Sequence, residues 1–230
     1  KISSYELEEV FLPKRFLHNV REQLEELVRQ KYLPLRQALP LTLPVISSAL
    51  PPPSPRLITK VYLLEQVEEA DAAGVYAIYY DIFRTDVLEA KQLCHHAKFF
   101  LDTPVIMTDA DLEKMQEIID RVKPDGLTIG NWGALALQFS GEKHGKLSLN
   151  IFNDITANLL WEKGVLPLLS VELNAKQALR FQNKNCIYYA HGHVPVMHFK
   201  GIFPQRALTD EKEYTFPLRI VNGNTEMLYS

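Results

Sequence analysis

Short apolar runs alternating with helical periodicity predict an α/β fold, a TIM-like (β/α) barrel left incomplete at about seven strands. Three observations carry this expectation. Between residues 147 and 200, the runs Leu147–Phe152, Leu166–Ser170 and Cys186–Ala190 alternate with helix-like Ile155–Lys163 and Ala175–Phe181. Upstream, residues 58–139 keep the same rhythm. About seven strands and six helices fall in about 140 residues, whereas a complete eight-unit barrel usually takes roughly 250.

In chain order, Ile2–Phe11 reads as a strand broken by Leu12-Pro13, and Phe16–Lys31 as an amphipathic helix with Phe16, Val20, Leu24, Leu27 and Val28 on one face. One strand and one helix bury little surface, so residues 1–45 read as the tail of a preceding domain. Residues 46–56, ISSALPPPSPR, form a proline-rich, semi-rigid linker. Residues 57–230 form the barrel-like domain. Within it, Ile58–Leu64 is an expected strand and Gln66–Ala73 a helix stopped at Gly74. Val75–Tyr80 is a strand, Thr85–Phe100 a helix and Val105–Thr108 a strand. Thr108 or Asp109 caps the helix Ala110–Val122. Leu127–Gly130 is a strand, Trp132–Phe139 a short helix or turn, and residues 140–145 a loop. After the three units named above, Tyr214–Val221 and Thr225–Tyr229 flank Asn222-Gly223, a strong hairpin signal. Such a hairpin would cover the open edge of an incomplete barrel.

Bulk composition narrows the function classes. An apolar fraction of 47% and a charged fraction of 23% are ordinary for a globular protein, and a net charge of −3 gives no bulk signal for nucleic acid. Cys94 and Cys186 cannot make a disulfide framework, which points to the cytoplasm. No apolar run approaches the roughly 20 residues of a membrane span. The opening KISSYELEEV is no secretory signal and lacks Met, so the chain reads as a piece of a longer protein.

Candidate site residues follow from the fold, because parallel β/α folds place chemistry at strand carboxyl ends. Those ends would carry Asn150 and Asn153, Ser170 and Glu172, and His191 and His193. Asn131, Asn150, Asn153, Glu172 and His193 are candidates for binding a polar ligand. Glu172 and His191 are candidates for catalysis, Glu172 as a general base. Equally, Asn153 and Asn174 cap helices, and Glu172 makes structural hydrogen bonds. His191 and His193, with His198 nearby, are weak metal candidates with no motif behind them, so no metal is assigned. Cys94-His95-His96 lies inside an expected helix, where neighbours point about 100° apart. Cys186 reads as a small core residue. Gly-x-Ser-x-Gly, His-Glu-x-x-His and a phosphate-binding loop are all absent.

Several segments then resemble the last units of the peptidase U32 (collagenase-like protease) family: SLNIFN, LSVELN, HGHVPVMHFK, GLTIGNWGALAL, LTDEKEYTFPL and the closing NTEMLYS. VFLPKRFLHNVREQLEEL resembles the helix ending the collagenase-like insert of longer members. The resemblance implies a (β/α) barrel from the carboxyl-terminal region of a long member. It also implies a family that includes collagen-degrading peptidases and iron–sulfur proteins acting in RNA-base or quinone hydroxylation. The family's cluster cysteines follow patterns like His-Gly-x-x-Cys and Lys-x-Cys-Pro. Here His191-Gly192-His193-Val194-Pro195 puts Pro195 where that cysteine would be, and Lys200-Gly201-Ile202-Phe203-Pro204 holds no cysteine. Two cysteines fall short of the four thiolates of such a cluster. No cofactor is therefore expected in this chain, and an iron–sulfur cluster would sit elsewhere in the parent. The implied role is an accessory, non-catalytic domain supporting substrate binding, with other domains of the parent chain and a protein or RNA substrate as partners. The alternative is a self-contained metal-dependent hydrolase at the barrel mouth.

Overall fold

The computed structural model describes residues 14–32 and 54–229. The chain divides into two compact units, Lys1–Pro44 and Val45–Ser230. The expected strand Ile2–Phe11 and most of the proline-rich linker lie outside the described residues.

In the first unit, α1 (Lys14–Tyr32) is the helix that its periodicity predicts. Arg21 Nε meets Glu25 Oε1 at 2.7 Å, one helical turn away.

The second unit opens with alternating strands and helices. In order these are β1 (Ile58–Lys60), α2 (Leu64–Ala72), β2 (Ala77–Asp81), α3 (Val87–Leu93), β3 (Lys98–Asp102), α4 (Asp109–Val122), β4 (Gly126–Ile129), β5 (Glu142–Gly145), α5 (Asp154–Glu162), β6 (Val165–Leu166) and α6 (Ala175–Ala178). The six strands form one parallel sheet in sequence order. Parallel rungs Ile151 to Leu169 and Leu168 to Ile187 extend the series past β6.

Side chains alternate across each strand. Ile78 and Tyr80, Phe99 and Leu101, and Leu127 and Ile129 point outward. They are fully buried against Val67, Val87, Ala90, Met115, Ile119, Ala157 and Leu160 of the helices. The other face meets itself. Strands β2 and β5 are three spacings apart, about 14 Å in a flat sheet, yet the Tyr79 hydroxyl lies 2.6 Å from His144 Nδ1. Tyr76 and Lys98 both bond Glu142, at 2.7 and 2.8 Å. Only a strongly curled sheet brings these groups together, so the sheet forms a half-barrel with its helices outside. Gly126 sits at an inward position because a Cβ there would fall 2.1 Å from the Phe100 ring.

A second, antiparallel sheet follows: β7 (Val194–Phe199), β8 (Ala207–Thr209), β9 (Thr215–Val221) and β10 (Asn224–Tyr229), in the order β7-β10-β9-β8. The hairpin expected at Asn222-Gly223 is present, both residues adopting positive φ. It pairs with neither edge of the parallel sheet. Its turn sits instead at the carboxyl end of β2, where the Asn222 N–H donates to Asp81 Oδ2 at 2.8 Å.

Several sequence expectations are corrected. The helix Thr85–Phe100 ends at Leu93, and Lys98–Asp102 is a central strand. Buried Asp71 forces the break, because its carboxylate accepts the backbone N–H groups of His95, His96 and Ala97. Cys94-His95-His96 is thus a turn, and the Cys94 thiol donates to the Ala97 carbonyl. Val105–Thr108 is the loop leading to the Thr108 cap of α4. Residues 142–145 form a strand, and the apolar run from Leu147 is a 3₁₀ turn ending at Asn150, with only Ile151 bridged. Of Cys186–Ala190, Ile187 alone makes a rung.

Candidate functional site

The concave face carries polar groups in layers. Lowest are Lys98 and Glu142. Above them the Phe100 ring stacks on His144 with centroids 4.4 Å apart. His144 Nε2 lies 3.9 Å from Glu142 Oε2. The Nε2–H tautomer therefore suits the site, with Nδ1 accepting from Tyr79. Burial pushes the imidazole down to about 4, against the pull of Glu142, so it is neutral at pH 7.

At the carboxyl ends of the strands lies a buried ionic cluster. Asp102, the last residue of β3, is fully buried. Its carboxylate meets Lys60 Nζ at 2.7 Å, Lys146 Nζ at 2.9 Å and the donating Thr128 hydroxyl at 2.7 Å. Lys146 also donates to the Thr103 carbonyl at 2.8 Å. Burial works against the Asp102 carboxylate, but Lys146 and Lys60 outweigh it and hold its pKa well below the usual range. The two lysines diverge. Burial disfavours the Lys60 ammonium, yet Asp102, with Tyr62 and Glu226, raises its pKa. Lys146 is lowered, because burial and the neighbouring Lys60 together exceed the attraction of Asp102. On the next strand end, Asp81 is raised by burial, opposed by the N–H groups of Phe83 and Asn222 that it accepts.

The antiparallel sheet contributes the facing wall. Buried Glu226 pairs with Arg219 at 3.0 Å and lies 3.7 Å from His198 Nδ1. Arg219 lies over the Tyr62 ring at 4.1 Å, and its Nε is buried without a partner. Burial lowers the His198 pKa, with Glu226 opposing and Lys146 and Lys60 adding to the effect.

Between these walls runs a cavity of about 2230 Å³ on the concave side, reaching from Tyr76 and Glu142 to Lys60, Lys146 and Arg219. A closed barrel fills that space with layered side chains. Here the ring is open between β1 and Ile187.

The residues singled out from the sequence divide. Asn150, Glu172, His191 and His193 line this cavity, all exposed. Asn131 and Asn153 do not line it. Asn131 caps the 3₁₀ turn Trp132–Ala136 through Gly133 N–H and donates to the Val105 carbonyl, whereas Asn153 caps α5 by accepting from Thr156 N–H at 3.0 Å. Asn174 likewise caps α6. His191 and His193 sit in the turn before β7, where Tyr189 donates to the His193 carbonyl. Among the described residues no three His, Cys, Asp or Glu side chains are grouped to hold a metal ion. No described helix is long and apolar enough to cross a membrane. Cys94 and Cys186 are both pushed up to about 12 by burial, so neither is a thiolate.

Lys60, Asp102 and Lys146 were not singled out from the sequence. Their one signal is a charge at the last position of an otherwise β-prone run, as in Ile58-Thr59-Lys60 and Phe99-Phe100-Leu101-Asp102.

No protein-family model matches the chain, and no curated protein sequence matches it significantly. Among solved structures, it is similar to a thiamine phosphate pyrophosphorylase from Pyrococcus furiosus. That likeness has 14% identity and a TM-score of 0.36, over 57% of this chain and 84% of that one. It is also similar to the 3,6-anhydro-D-galactonate cycloisomerase from Zobellia galactanivorans, with 8% identity and a TM-score of 0.40, over 73% of this chain and 59% of that one. Likenesses this distant assign no activity to the chain.

Proposed function

We propose that this chain is an accessory, ligand-binding domain of a peptidase U32-like protein, an incomplete TIM-like barrel of about seven strands. It supports substrate binding by other domains of its parent and works in the cytoplasm. The family part of this reading is supported by the ordered sequence motifs, from GLTIGNWGALAL to NTEMLYS.

The binding part is carried by one observation: the buried carboxylates along the open cavity are already engaged by its cations. Asp102 is shared by two lysines, and Glu226 by Arg219 and His198. The exposed rim residues Asn150, Glu172, His191 and His193 are left as hydrogen-bonding partners for a polar ligand. This arrangement suits holding a group more than hydrolysing one.

The test is direct binding of the purified chain to single-stranded RNA and to gelatin-derived peptides. A rim-blocking His193→Trp variant should weaken the bound class about tenfold, or about 1.4 kcal/mol. RNA affinity should also fall steeply with salt. Unchanged affinity in the variant, or no binding of either class, defeats the reading. Peptide hydrolysis lost in a Glu172→Ala/His191→Ala double variant would favour the hydrolase alternative.

A further inference from the structure

We infer that the cavity captures a small carbonyl compound bearing an acid group, such as a 2-oxo acid, as a reversible iminium on the Lys146 amine. The inference goes beyond the binding reading above: it gives the inner cavity a small ligand of its own, below the rim that faces RNA or peptide.

The geometry places two lysines on one buried carboxylate beside the cavity. Lys146 Nζ lies 2.9 and 3.0 Å from the two Asp102 oxygens and donates to the Thr103 carbonyl at 2.8 Å. In the inferred neutral state two hydrogens still serve the carboxylate and the carbonyl, and the lone pair is left for an electrophile. Lys60 and Asp102 then remain as a neutral ion pair at 2.7 Å. Burying one cation fewer favours that state. The charged and titratable groups around Lys146 are Lys60 from β1, Asp102 from β3, His198 from β7 and Glu226 from β10. A lysine desolvated beside a second cation is the usual setting for an amine nucleophile.

The step balances. The nitrogen lone pair attacks the carbonyl carbon, and the C=O π pair moves to oxygen, which takes the proton released by nitrogen. The resulting hydroxyl takes one further proton from solvent and leaves as water as nitrogen forms the C=N bond. The iminium carries the positive charge the ammonium carried, still facing Asp102. Arg219 Nε, buried without a partner on the same cavity, has a donor for the acid group.

The experiment incubates the whole chain with ¹³C-labelled pyruvate and sodium cyanoborohydride, whose hydride reduces the iminium to a stable secondary amine. Peptide mass spectrometry then locates the adduct. At pH 7.5, Lys146 should be labelled at least about tenfold faster than exposed Lys163 and Lys176, since each unit of lowered pKa multiplies the free amine tenfold. Lys60→Met should cut that labelling about tenfold by removing the neighbouring cation. Should that variant not fold, the pH at half-maximal labelling of Lys146 in the unaltered chain must lie below the ordinary lysine value of about 10.4. Arg219→Gln should slow capture of pyruvate but not of glycolaldehyde. Labelling of Lys146 no faster than the exposed lysines overturns the inference. A pyruvate-induced thermal shift without labelling of Lys146 overturns it too, because it shows a non-covalent site. Neither result bears on the rim reading, which stands or falls on its RNA and peptide test.

Discussion

The two faces of the parallel sheet are made from the same strands, one residue apart, and do opposite work. The outer face of β2, β3 and β4 is apolar and buried under helices, from Ile78 and Tyr80 to Leu127 and Ile129. The inner face carries Lys60, Tyr79, Asp81, Lys98, Asp102, Glu142 and His144. The first gains stability by removing hydrocarbon from water. The second holds Asp102 and its two lysines in a low-dielectric space, where each is tolerable only while its partner is present. Apolar packing lies on one side and charge on the other.

The largest effect that would sharpen this contrast comes from neighbouring residues on β3. Asp102→Ala leaves two lysines facing one another without their carboxylate and should cost about 3–5 kcal/mol. Leu101→Ala should cost about 2–5 kcal/mol by opening a cavity under the helices. Urea titrations at several pH values separate the two mechanisms. The folded pKa of Asp102 is depressed, so its contribution is present above the ordinary carboxylate value of about 4 and is lost as pH falls below it. The Leu101→Ala penalty should stay flat over the same range. Equal pH dependence for both variants would break the distinction.

His144 tests the inner face at milder pH. Its folded pKa of about 4 lies below the unfolded value of about 6.5. Stability is therefore complete above about pH 6.5 and falls as the pH drops toward about 4, by about 3 kcal/mol in all. His144→Phe should flatten that slope while leaving the stack on Phe100 in place. A slope unchanged in the variant would assign it to other groups.

Gly126→Ala should cost about 1–3 kcal/mol by forcing its methyl group into the Phe100 ring. Phe100→Leu in the same chain should recover part of that loss, a coupling that thermal melts of the double-mutant cycle read directly. The smallest effect belongs outside the sheet. Asn153→Ala should cost about 1 kcal/mol through the lost α5 cap, with ligand affinity unchanged. A drop in affinity would return Asn153 to the binding residues.

How much of this was legible follows the same division. Helix α4 with its Thr108 cap, helix α5 with its Asn153 cap and the Asn222-Gly223 hairpin depend on residues a few positions apart, and local spacing reveals them. Strand β5, Glu-Lys-His-Gly, presents no apolar run of the kind expected in a parallel sheet. In β3 the apolar run Phe99–Leu101 is only three residues long between Lys98 and Asp102, and it continues the preceding helical pattern. Asp71, which ends α3, acts from 24 or more residues away and leaves no local trace.

Of the site, the sequence placed polar residues at strand ends, and Asn150, Glu172, His191 and His193 do face the cavity. It could not show that the ionic cluster exists. Lys146 and Asp102 are 44 positions apart, and neither is distinctive alone. The chain by itself determined the alternation of strand and helix, the caps and the turn, because those follow from backbone geometry and period. Only the curling of the sheet decided which charges meet, because an ion pair depends on distance in space, and that distance is set by all six strands together.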